Sequence, residues 1–417
     1  MKCASLQRRG CLARRAWCLA ALAGTPALAQ PSFTSIGLLP GAASSRAAGV
    51  SGDGLVVVGE CTAGSTVLAV RWTPGGGLAD ITNAGAAPAS ALGASQDGSV
   101  AAGYDFSGGI FHAYRWTGAT GMVELPAPAG SAYGQAFDIS ADGGTIAGTG
   151  TILSPAVGST VFRWTSATGT VDLGTPPGGS EPTVAAISAD GNAIVGYFTL
   201  APGTKAYRWT GAGGFENLQT LAGGTFSTGA GVSGDGSVVV GQSNGTEGLR
   251  AFRWTSATGM VGLGTLPGGT TSTAAAVSAD GLTIVGGGNS AAGGGRVFVW
   301  TQAAGMRDLA DLLGAALPAG WTLGTAEGVS AVGSVIVGTG TFQGVSQGWV
   351  ATLSSACYPN CDASTTGPVL NVLDFLCFLN RFAAGDPFAN CDASTTPPVL
   401  NVLDFLCFLN RFAAGCT

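Results

Sequence analysis

A chain of 417 residues with 71 glycines and only 10% charged residues is long enough for more than one domain. Its 46% hydrophobic content excludes a disordered or collagen-like chain and favours many short β-strands joined by glycine turns. With 17 basic against 23 acidic residues and a formal net charge of −6, it is a poor candidate for binding nucleic acid or anionic lipid.

The N-terminus has the pattern of a secretory signal peptide. A basic stretch that ends in Arg14 and Arg15 precedes the apolar run CLAALAG, and Ala27–Ala29 form a small-residue cleavage site. We therefore expect residues 1–29 to be removed and the protein to be secreted, either extracellular or associated with the cell surface. The general and twin-arginine export routes both stay open. We find no second apolar stretch long enough for a membrane span.

Two short phrases recur along the rest of the chain, about 44 to 52 residues apart. The first is Ser-x-Asp-Gly followed by an apolar run and Gly, as in SADGNAIVG from Ser188. Its six aspartates are Asp53, Asp97, Asp142, Asp190, Asp235 and Asp280, and a degenerate seventh copy begins at Ser330. The second phrase contains Trp72, Trp116, Trp164, Trp209, Trp254, Trp300 and Trp349. Such a period predicts a propeller or another repeat array.

Each copy carries the signals of four antiparallel strands. In the fifth copy, STGAGVS leads through an Asp-Gly turn into SVVVG, and RAFRWT leads through SATG into MVGLGTL. Asp-Gly between alternating apolar runs is a strong hairpin signal, because glycine accepts the positive φ of tight turns. Four strands in one repeat of this length predict a propeller blade.

The ends of the array predict a closed ring. The seventh copy stops soon after Trp349 and lacks a fourth strand, whereas the segment from Phe33, FTSIGLLPGAASSRAAGVS, aligns with residues 260–278. That segment can supply the strand that the seventh copy lacks. We predict a mainly β chain: a signal peptide at 1–29, a seven-bladed β-propeller at 30–353 closed by the N-terminal strand, and a small α-helical module at 354–417.

The repeated polar residues have structural explanations. We expect the aspartates to be turn residues rather than calcium ligands or catalytic groups. In AFRWT, a strand places Phe252 and Trp254 on one face and Arg253 on the other, so we expect blade-packing roles. An acidic residue follows the arginine nine positions later in three copies, and we expect it to face the arginine across the hairpin. The pairs are Arg71 with Asp80, Arg115 with Glu124, and Arg163 with Asp172.

The pattern FHAYRWTGATGMVEL…AFDISADGGTIAG resembles the HAF repeats of bacterial extracellular proteins, named for a His-Ala-Phe tripeptide. Only His112-Ala113-Tyr114 keeps the histidine here; other copies have KAY, RAF or RVF. The resemblance covers most of residues 30–353. It implies an exported repeat protein and no particular reaction.

Residues 361–385 recur at 391–415 with one change, Gly367 to Pro397. Each copy has Asp, a polar loop, Asn-x-x-Asp and an apolar helix closed by Gly. This duplicated pattern, with its cysteines and closing Gly-Cys, resembles the GC-type dockerins of planctomycete exported proteins, which use EF-hand-like calcium loops and bind cohesin domains. Carried over by position, the resemblance implies calcium ligands at Asp362, Ser364, Thr366, Asn371 and Asp374, and at Asp392, Ser394, Thr396, Asn401 and Asp404.

Both loops depart from the EF-hand pattern. Each runs 13 residues from first to last Asp, against about 12, and has Thr at the fifth position and Asp as the last ligand. Two carboxylates per loop predict weak calcium binding, and disulfides are the alternative means of holding the loops. The candidate cysteines are Cys357, Cys361, Cys377, Cys391, Cys407 and Cys416. Cys357 and Cys416 bracket the module, and the pairing of the other four stays open.

By the same resemblance, a partner such as a cohesin-like protein would contact residues at the starts and ends of the two helices. These are Val372, Leu373, Asn380, Arg381, Val402, Leu403, Asn410 and Arg411. Helix core is the alternative for the four Val and Leu residues.

Three functions stay open. The first is a non-catalytic exported propeller that docks at the cell surface through its tail, and the second is a binding module for protein or glycan. The third is a carbohydrate-active enzyme such as a glycoside hydrolase, although no catalytic residue can be assigned. The non-repeating acids Glu60, Glu181, Glu247 and Glu327 leave activity open.

Other non-repeating features limit these functions. A single histidine, His112, excludes a repeated histidine triad or metal cluster, and we expect it to be a strand residue. We expect ligand recognition in the variable loops between second and third strands, at 61–68, 151–160 and 285–295. Cys61, in the first of them, is either a free thiol or a link between chains.

Overall fold

The structure, a computed structural model, describes residues 31–83, 88–153, 157–291, 293–353 and 372–383, with Ala389, Val402, Asp404, Phe405, Phe408 and Leu409. Within those ranges, the chain from Ser32 to Thr352 forms seven four-stranded antiparallel sheets. They are the blades of the predicted propeller. Residues Gln30–Ser355 form one compact unit, and the described tail residues belong to another.

A short strand, β1 (Ser32–Ser35), precedes the first complete blade. Blade 1 contains β2 (Ser44–Val50), β3 (Val57–Ala63), β4 (Thr66–Thr73) and β5 (Gly77–Asp80). Blade 2 contains β6 (Ala89–Ala94), β7 (Val100–Ser107), β8 (Ile110–Thr117) and β9 (Gly121–Glu124). Blade 3 contains β10 (Tyr133–Ile139), β11 (Thr145–Ile152), β12 (Gly158–Thr165) and β13 (Gly169–Gly174).

Blades 4 to 6 repeat this order. Blade 4 contains β14 (Ser180–Ile187), β15 (Ala193–Leu200), β16 (Gly203–Thr210) and β17 (Gly214–Asn217). Blade 5 contains β18 (Ser227–Val232), β19 (Val239–Gly245), β20 (Gly248–Thr255) and β21 (Gly259–Gly262). Blade 6 contains β22 (Ser272–Val277), β23 (Thr283–Asn289), β24 (Gly295–Thr301) and β25 (Gly305–Asp308).

Blade 7 confirms the predicted ring closure. After a short helix, α1 (Leu309–Leu313), the chain forms β26 (Trp321–Val329), β27 (Val335–Phe342) and β28 (Val345–Thr352). The fourth strand is β1, which pairs antiparallel with β28. Phe33 of β1 lies 4.9 Å from the ring of Trp321 and 6.1 Å from that of Trp349. Aromatic packing therefore joins the two ends of the array.

The Ser-x-Asp-Gly turn is closed by its own side chains, which confirms the structural explanation of its aspartate. In blade 1, Ser51 donates to Asp53 at 2.5 Å and accepts from the Val56 amide at 2.9 Å. The Asp53 carboxylate also accepts from the Leu55 amide at 2.9 Å. In blade 2 such bonds, led by the one from the Ser99 amide, lower the pKa of Asp97 to about 2. The carboxylate is used within the turn.

The seven turns are joined by backbone hydrogen bonds into a closed ring around the axis. Each turn donates one amide to a carbonyl of the next turn, at 2.7 to 3.2 Å. The donor–acceptor pairs are Asp53–Gln96, Gln96–Ala141, Ala141–Ala189, Asp190–Gly234, Gly234–Ala279, Ala279–Ala331 and Ala331–Gly52.

The glycine that follows the apolar run after each Ser-x-Asp-Gly turn, such as Gly148, is required because two strands approach closely there. The first strand of every blade has a β-bulge, at Ala136/Asp138 in blade 3 for example. A Cβ on Gly148, which pairs with Ala136, would lie 2.1 Å from the Gln135 carbonyl oxygen. Side chains larger than hydrogen cannot fit there, so the repeated glycine keeps the two inner strands in contact.

The arginine of the Trp phrase joins neighbouring blades. Its Nε donates to the carbonyl of the Asp-Gly glycine in the next blade, at 2.7 to 3.2 Å. Four such bonds are Arg71–Gly98, Arg115–Gly143, Arg163–Gly191 and Arg208–Gly236. The sequence predicted that these arginines act within their own blade, whereas in the structure they bond to the next blade.

The predicted arginine–acid pairs are wrong by one position. Arg115 lies opposite Val123, and Glu124 lies opposite Tyr114, so the residue nine positions later points to the other face of the sheet. The same register places Asp80 opposite Val70 and Asp172 opposite Phe162. Across the strand, Glu124 meets His112 at 3.1 Å instead. His112 is a residue of β8, as predicted.

The expected variable loops are largely strand. Residues 61–68 belong to β3 and β4 apart from Gly64 and Ser65, and most of 285–295 lies in β23 and β24. Cys61 is fully buried in β3, and burial raises the pKa of its thiol. A link between chains through Cys61 is therefore excluded in the folded blade.

The described tail contains one complete helix, α2 (Val372–Ala383). Phe378 of this helix and Phe408 are fully buried, with ring centroids 4.1 Å apart in a stacked arrangement. They occupy equivalent positions in the duplicated sequence. No helix among the described residues is long and apolar enough to cross a membrane.

Replacing Phe33 by Ala tests the ring closure. We expect Phe33→Ala to lower the free energy of unfolding by about 2 kcal/mol, because a half-buried aromatic ring leaves the junction of β1 and blade 7. Thr34→Ala, an exposed neighbour on the same strand, should stay within about 0.5 kcal/mol of the wild type. Urea unfolding followed by tryptophan fluorescence measures both, and equal effects would contradict the aromatic closure.

Candidate binding site in the central channel

The first strands of the seven blades line a central channel that contains two cavities. The larger, which we call the upper chamber, has a volume of about 530 Å³, and the smaller has about 140 Å³. The smaller cavity lies inside the ring of Ser-x-Asp-Gly turns. Both cavities touch an apolar collar formed by Val50, Ala94, Ile187, Val232, Val277 and Val329. Polar ligands therefore meet an apolar constriction beyond the upper chamber.

Charged side chains and the hydroxyl groups bonded to them lie in and beside the upper chamber. We call this set the mouth network: Arg46, Glu60, Ser90, Thr325 and Glu327. One guanidinium nitrogen of Arg46 lies 3.1 Å from Glu327 and another lies 3.8 Å from Glu60. Ser90 donates to Glu60 at 2.5 Å and Thr325 to Glu327 at 2.9 Å. Burial lowers the pKa of Arg46, but the two glutamates outweigh that effect and raise it overall. The network joins blades 7, 1 and 2.

Asp138 stands further along the channel wall. Its Oδ1 accepts from the Ile139 amide at 2.8 Å, and its Oδ2 accepts from the Ile187 amide of blade 4 at 2.9 Å. Burial raises the pKa of Asp138 to about 6, against the lowering effect of the two amide bonds. A carboxyl group with this pKa in a cavity is a candidate for binding or proton transfer.

An aromatic strip leads away from the chamber across blades 2 and 3. It consists of Tyr104, Phe106, Phe111, Tyr133 and Phe137. Phe137 lines the chamber, and neighbouring ring centroids lie 4.8 to 6.3 Å apart. Phe137 and Arg46 both line the upper chamber, so the strip adjoins the mouth network. Phe106 is 40% exposed, which leaves an apolar surface open to a ligand.

The structure brings together only some of the predicted candidates. Glu60 and Glu327 meet around Arg46, whereas Glu247 is 80% exposed beside Arg250 and Glu181 is also exposed. Sequence reasoning missed Arg46 and Asp138. Asp138 could have been found by aligning the first strands, where the other six blades have Gly or Ala.

Most of the predicted tail sites lie outside the described residues. These are Asp362, Ser364, Thr366, Asn371, Asp392, Ser394, Thr396, Asn401, Cys357, Cys361, Cys391, Cys407, Cys416, Leu403, Asn410 and Arg411. Of the calcium candidates, Asp374 and Asp404 are described, and both are fully buried. Cys377 packs beside the Phe378–Phe408 cluster. The calcium loops and the disulfide pairing stay predictions.

Three of the predicted partner-contact residues in the described part of the tail are exposed apolar side chains. Val372, Leu373 and Val402 are 67%, 57% and 66% exposed, so helix core is the wrong explanation for these three. Asn380 is exposed and Arg381 half-buried on the same helix.

The pKa of Asp138 predicts a pH dependence of stability. Because folding raises this pKa from 3.8 to about 6, the native state holds the proton more tightly than the unfolded chain. The contribution of Asp138 to the free energy of unfolding is therefore largest below the unfolded pKa and is lost as the pH rises through about 6. Asp138→Ala should remove this loss.

Unfolding free energies of wild type and Asp138→Ala, measured across that pH range, check the prediction. Asp172→Asn removes an exposed carboxyl group from the same blade and should keep the wild-type slope. Parallel curves for wild type and Asp138→Ala would show that Asp138 titrates as in the unfolded chain.

Solved structures of low sequence identity share the propeller fold. An oligogalacturonate lyase from Vibrio parahaemolyticus has 12% identity and a TM-score of 0.53 over 77% of this chain and 93% of that chain. The propeller domain of the Trilobed protease from Pyrococcus furiosus has 9% identity and a TM-score of 0.52 over 75% and 95%. TolB from Acinetobacter baumannii has 14% identity and a TM-score of 0.39, and the match spans 52% of each chain. No family model and no curated protein matches the chain. The likeness to the first two structures shows the fold, a β-propeller.

Proposed function

We propose that the protein is an exported, non-catalytic propeller that binds a glycan at the mouth network and aromatic strip and is held at the cell surface by its tail. The observation that carries the proposal is the junction of the two features: the charged Arg46 cluster adjoins a partly exposed series of aromatic rings. Binding sites commonly combine apolar and aromatic walls with a few fixed polar groups.

A glycan fits this chemistry better than an extended apolar partner. Sugar rings have an apolar face of C–H groups that can pack on aromatic side chains, and their hydroxyl groups need donors and acceptors at defined positions. Phe106 and Phe111 provide the first, and Arg46, Glu60 and Glu327 provide the second. The mouth network is pre-organised because each carboxylate already accepts a hydroxyl hydrogen bond from Ser90 or Thr325.

The tail provides the support for surface docking. Its sequence resembles a GC-type dockerin, and Val372, Leu373 and Val402 expose apolar side chains that a partner can cover. Val372 and Val402 are equivalent in the duplicated sequence, so the two copies offer similar surfaces. A cohesin-like protein is the partner that the resemblance implies, with calcium in the loops.

A carbohydrate-active enzyme is the second candidate. The observation that favours it is Asp138, whose raised pKa of about 6 suits a general acid. Oligogalacturonate lyases share the propeller fold with this chain at 12% identity. Product analysis separates the two candidates, because an enzyme shortens the glycan that a binding protein only retains.

Binding to a panel of plant, fungal and bacterial oligosaccharides tests the glycan proposal. For any glycan that binds, Phe111→Ala should weaken the affinity at least about tenfold, or ~1.4 kcal/mol, because the ring packs at the centre of the aromatic strip. Tyr197→Ala, at the blade 4 position equivalent to Tyr104, should leave affinity within about threefold. Affinity unchanged by Phe111→Ala would place the glycan elsewhere.

Capture of envelope proteins tests the tail. The full chain should retain a partner in calcium and release it in chelator, whereas a chain that ends at residue 353 should retain none. Asp374→Asn with Asp404→Asn should weaken capture, because each loop would lose one of its two carboxylates. Capture that is indifferent to calcium would overturn the calcium-dependent docking and leave the glycan site unaffected.

A further inference from the structure

Seven equivalent positions, one in each first strand just after the β-bulge, line the channel at one level. They are Gly49, Gly93, Asp138, Ala186, Gly231, Ala276 and Gly328. Six have no side chain beyond a methyl group, which keeps the upper chamber open. Asp138 is the one charged residue among these seven positions, so blade 3 departs from the repeat here.

The Asp138 carboxylate is held in place by neighbouring blades. It accepts amides from Ile139 in blade 3 and Ile187 in blade 4, and a Cβ on Gly93 in blade 2 would lie 2.8 Å from its Oδ1. Two backbone amides fix its orientation without neutralising it. None of the ion pairs among the described residues includes Asp138. A half-buried carboxylate without a cation beside it is destabilising, and a ligand cation would reduce that cost.

The charges around the chamber favour the entry of a cation. The titratable groups in or directly beside the chamber are Arg46, Glu60, Tyr104, Asp138 and Glu327, among which three carboxyl groups outnumber one guanidinium. Arg46 is already paired with both glutamates. Because the β-bulge adds a residue without adding length, Asp138 lies two rungs of the strand ladder beyond the level of Arg46, or roughly 7 Å along the channel. A cation that passes the mouth network therefore finds one unpaired carboxylate.

We propose that the upper chamber binds a primary ammonium group, with Asp138 as its counter-ion. The chamber of about 530 Å³ admits a small ligand, and its walls beyond the carboxylate are the apolar collar, so the ligand should carry one charged end on a compact body. Free aliphatic amines and amino sugars share this chemistry. The described residues offer no group of three His, Cys, Asp or Glu side chains for a metal ion. The proposal does not depend on glycan binding at the aromatic strip.

Calorimetric titration of the full chain with butylamine and butanol tests the charge. Butylamine should bind at least tenfold more tightly than butanol above pH 6, and the preference should fall below that pH as Asp138 is protonated. Asp138→Ala should remove the preference and should fold, because blades 4 and 6 have alanine at the same position. Asp172→Asn, which removes an exposed charge from blade 3, should keep it.

Glucosamine and N-acetylglucosamine, each a single sugar, distinguish an amino sugar from an aliphatic amine as the ligand. Tighter binding of the free-amine sugar than of butylamine, lost in Asp138→Ala, assigns an amino sugar, and the reverse order assigns an aliphatic amine. Equal binding of butylamine and butanol, or a preference that survives in folded Asp138→Ala, would overturn the proposal. Neither result bears on glycan binding at the aromatic strip, which the oligosaccharide panel tests separately.

Discussion

The closed ring of hydrogen bonds between the Ser-x-Asp-Gly turns sets the radius of the propeller. Each bond contributes only about 1 kcal/mol net, but a ring of seven holds every first strand at the same distance from the axis. The turn must therefore be rigid in every blade: the serine and aspartate bond within the turn in six blades, and the serine alone does so in blade 7, where Val332 replaces the aspartate. The same serines are fully or almost fully buried, which leaves the turns little freedom to reorganise.

A fixed radius explains which positions of the repeat keep the same residue type in every blade and which positions vary. The position just after each β-bulge is Gly or Ala in six blades, and the last glycine of the turn phrase must be a glycine because the first-strand carbonyl occupies the space of a Cβ. The arginine that reaches the next blade completes the same scaffold. The proposed binding sites rest on positions that depart from the repeat: Arg46, Glu60 and Glu327 in or beside the upper chamber, and Asp138 within it.

The sequence predicted the seven blades, their four strands and the closure by the N-terminal strand, because the period and the turn signals are strong local features. The sequence-based prediction of side-chain pairs across the hairpins was wrong, because those pairs depend on strand register. Glu124 was placed opposite Arg115, and one residue of difference sent it to His112 on the other face. The chamber was not predicted because its charged groups come from different blades: Arg46 and Glu327 lie 281 residues apart in the sequence and meet only when the ring closes. Exposure of Val372 and Val402 likewise depends on packing between the two copies.

Closure by β1 has a consequence for the order in which the chain folds. The Ser35 and Gln347 side chains are bonded across 312 residues, whereas the turns within a blade join strands that are neighbours in the sequence. Blades 1 to 6 can each form as their own hairpins appear, but blade 7 must wait for both ends of the array. During synthesis, which proceeds from the N-terminus, β1 remains an unpaired edge until β28 has been made. The first propeller strand to be synthesised is therefore among the last to pair. Until it pairs, its backbone edge is available for pairing with strands of other chains.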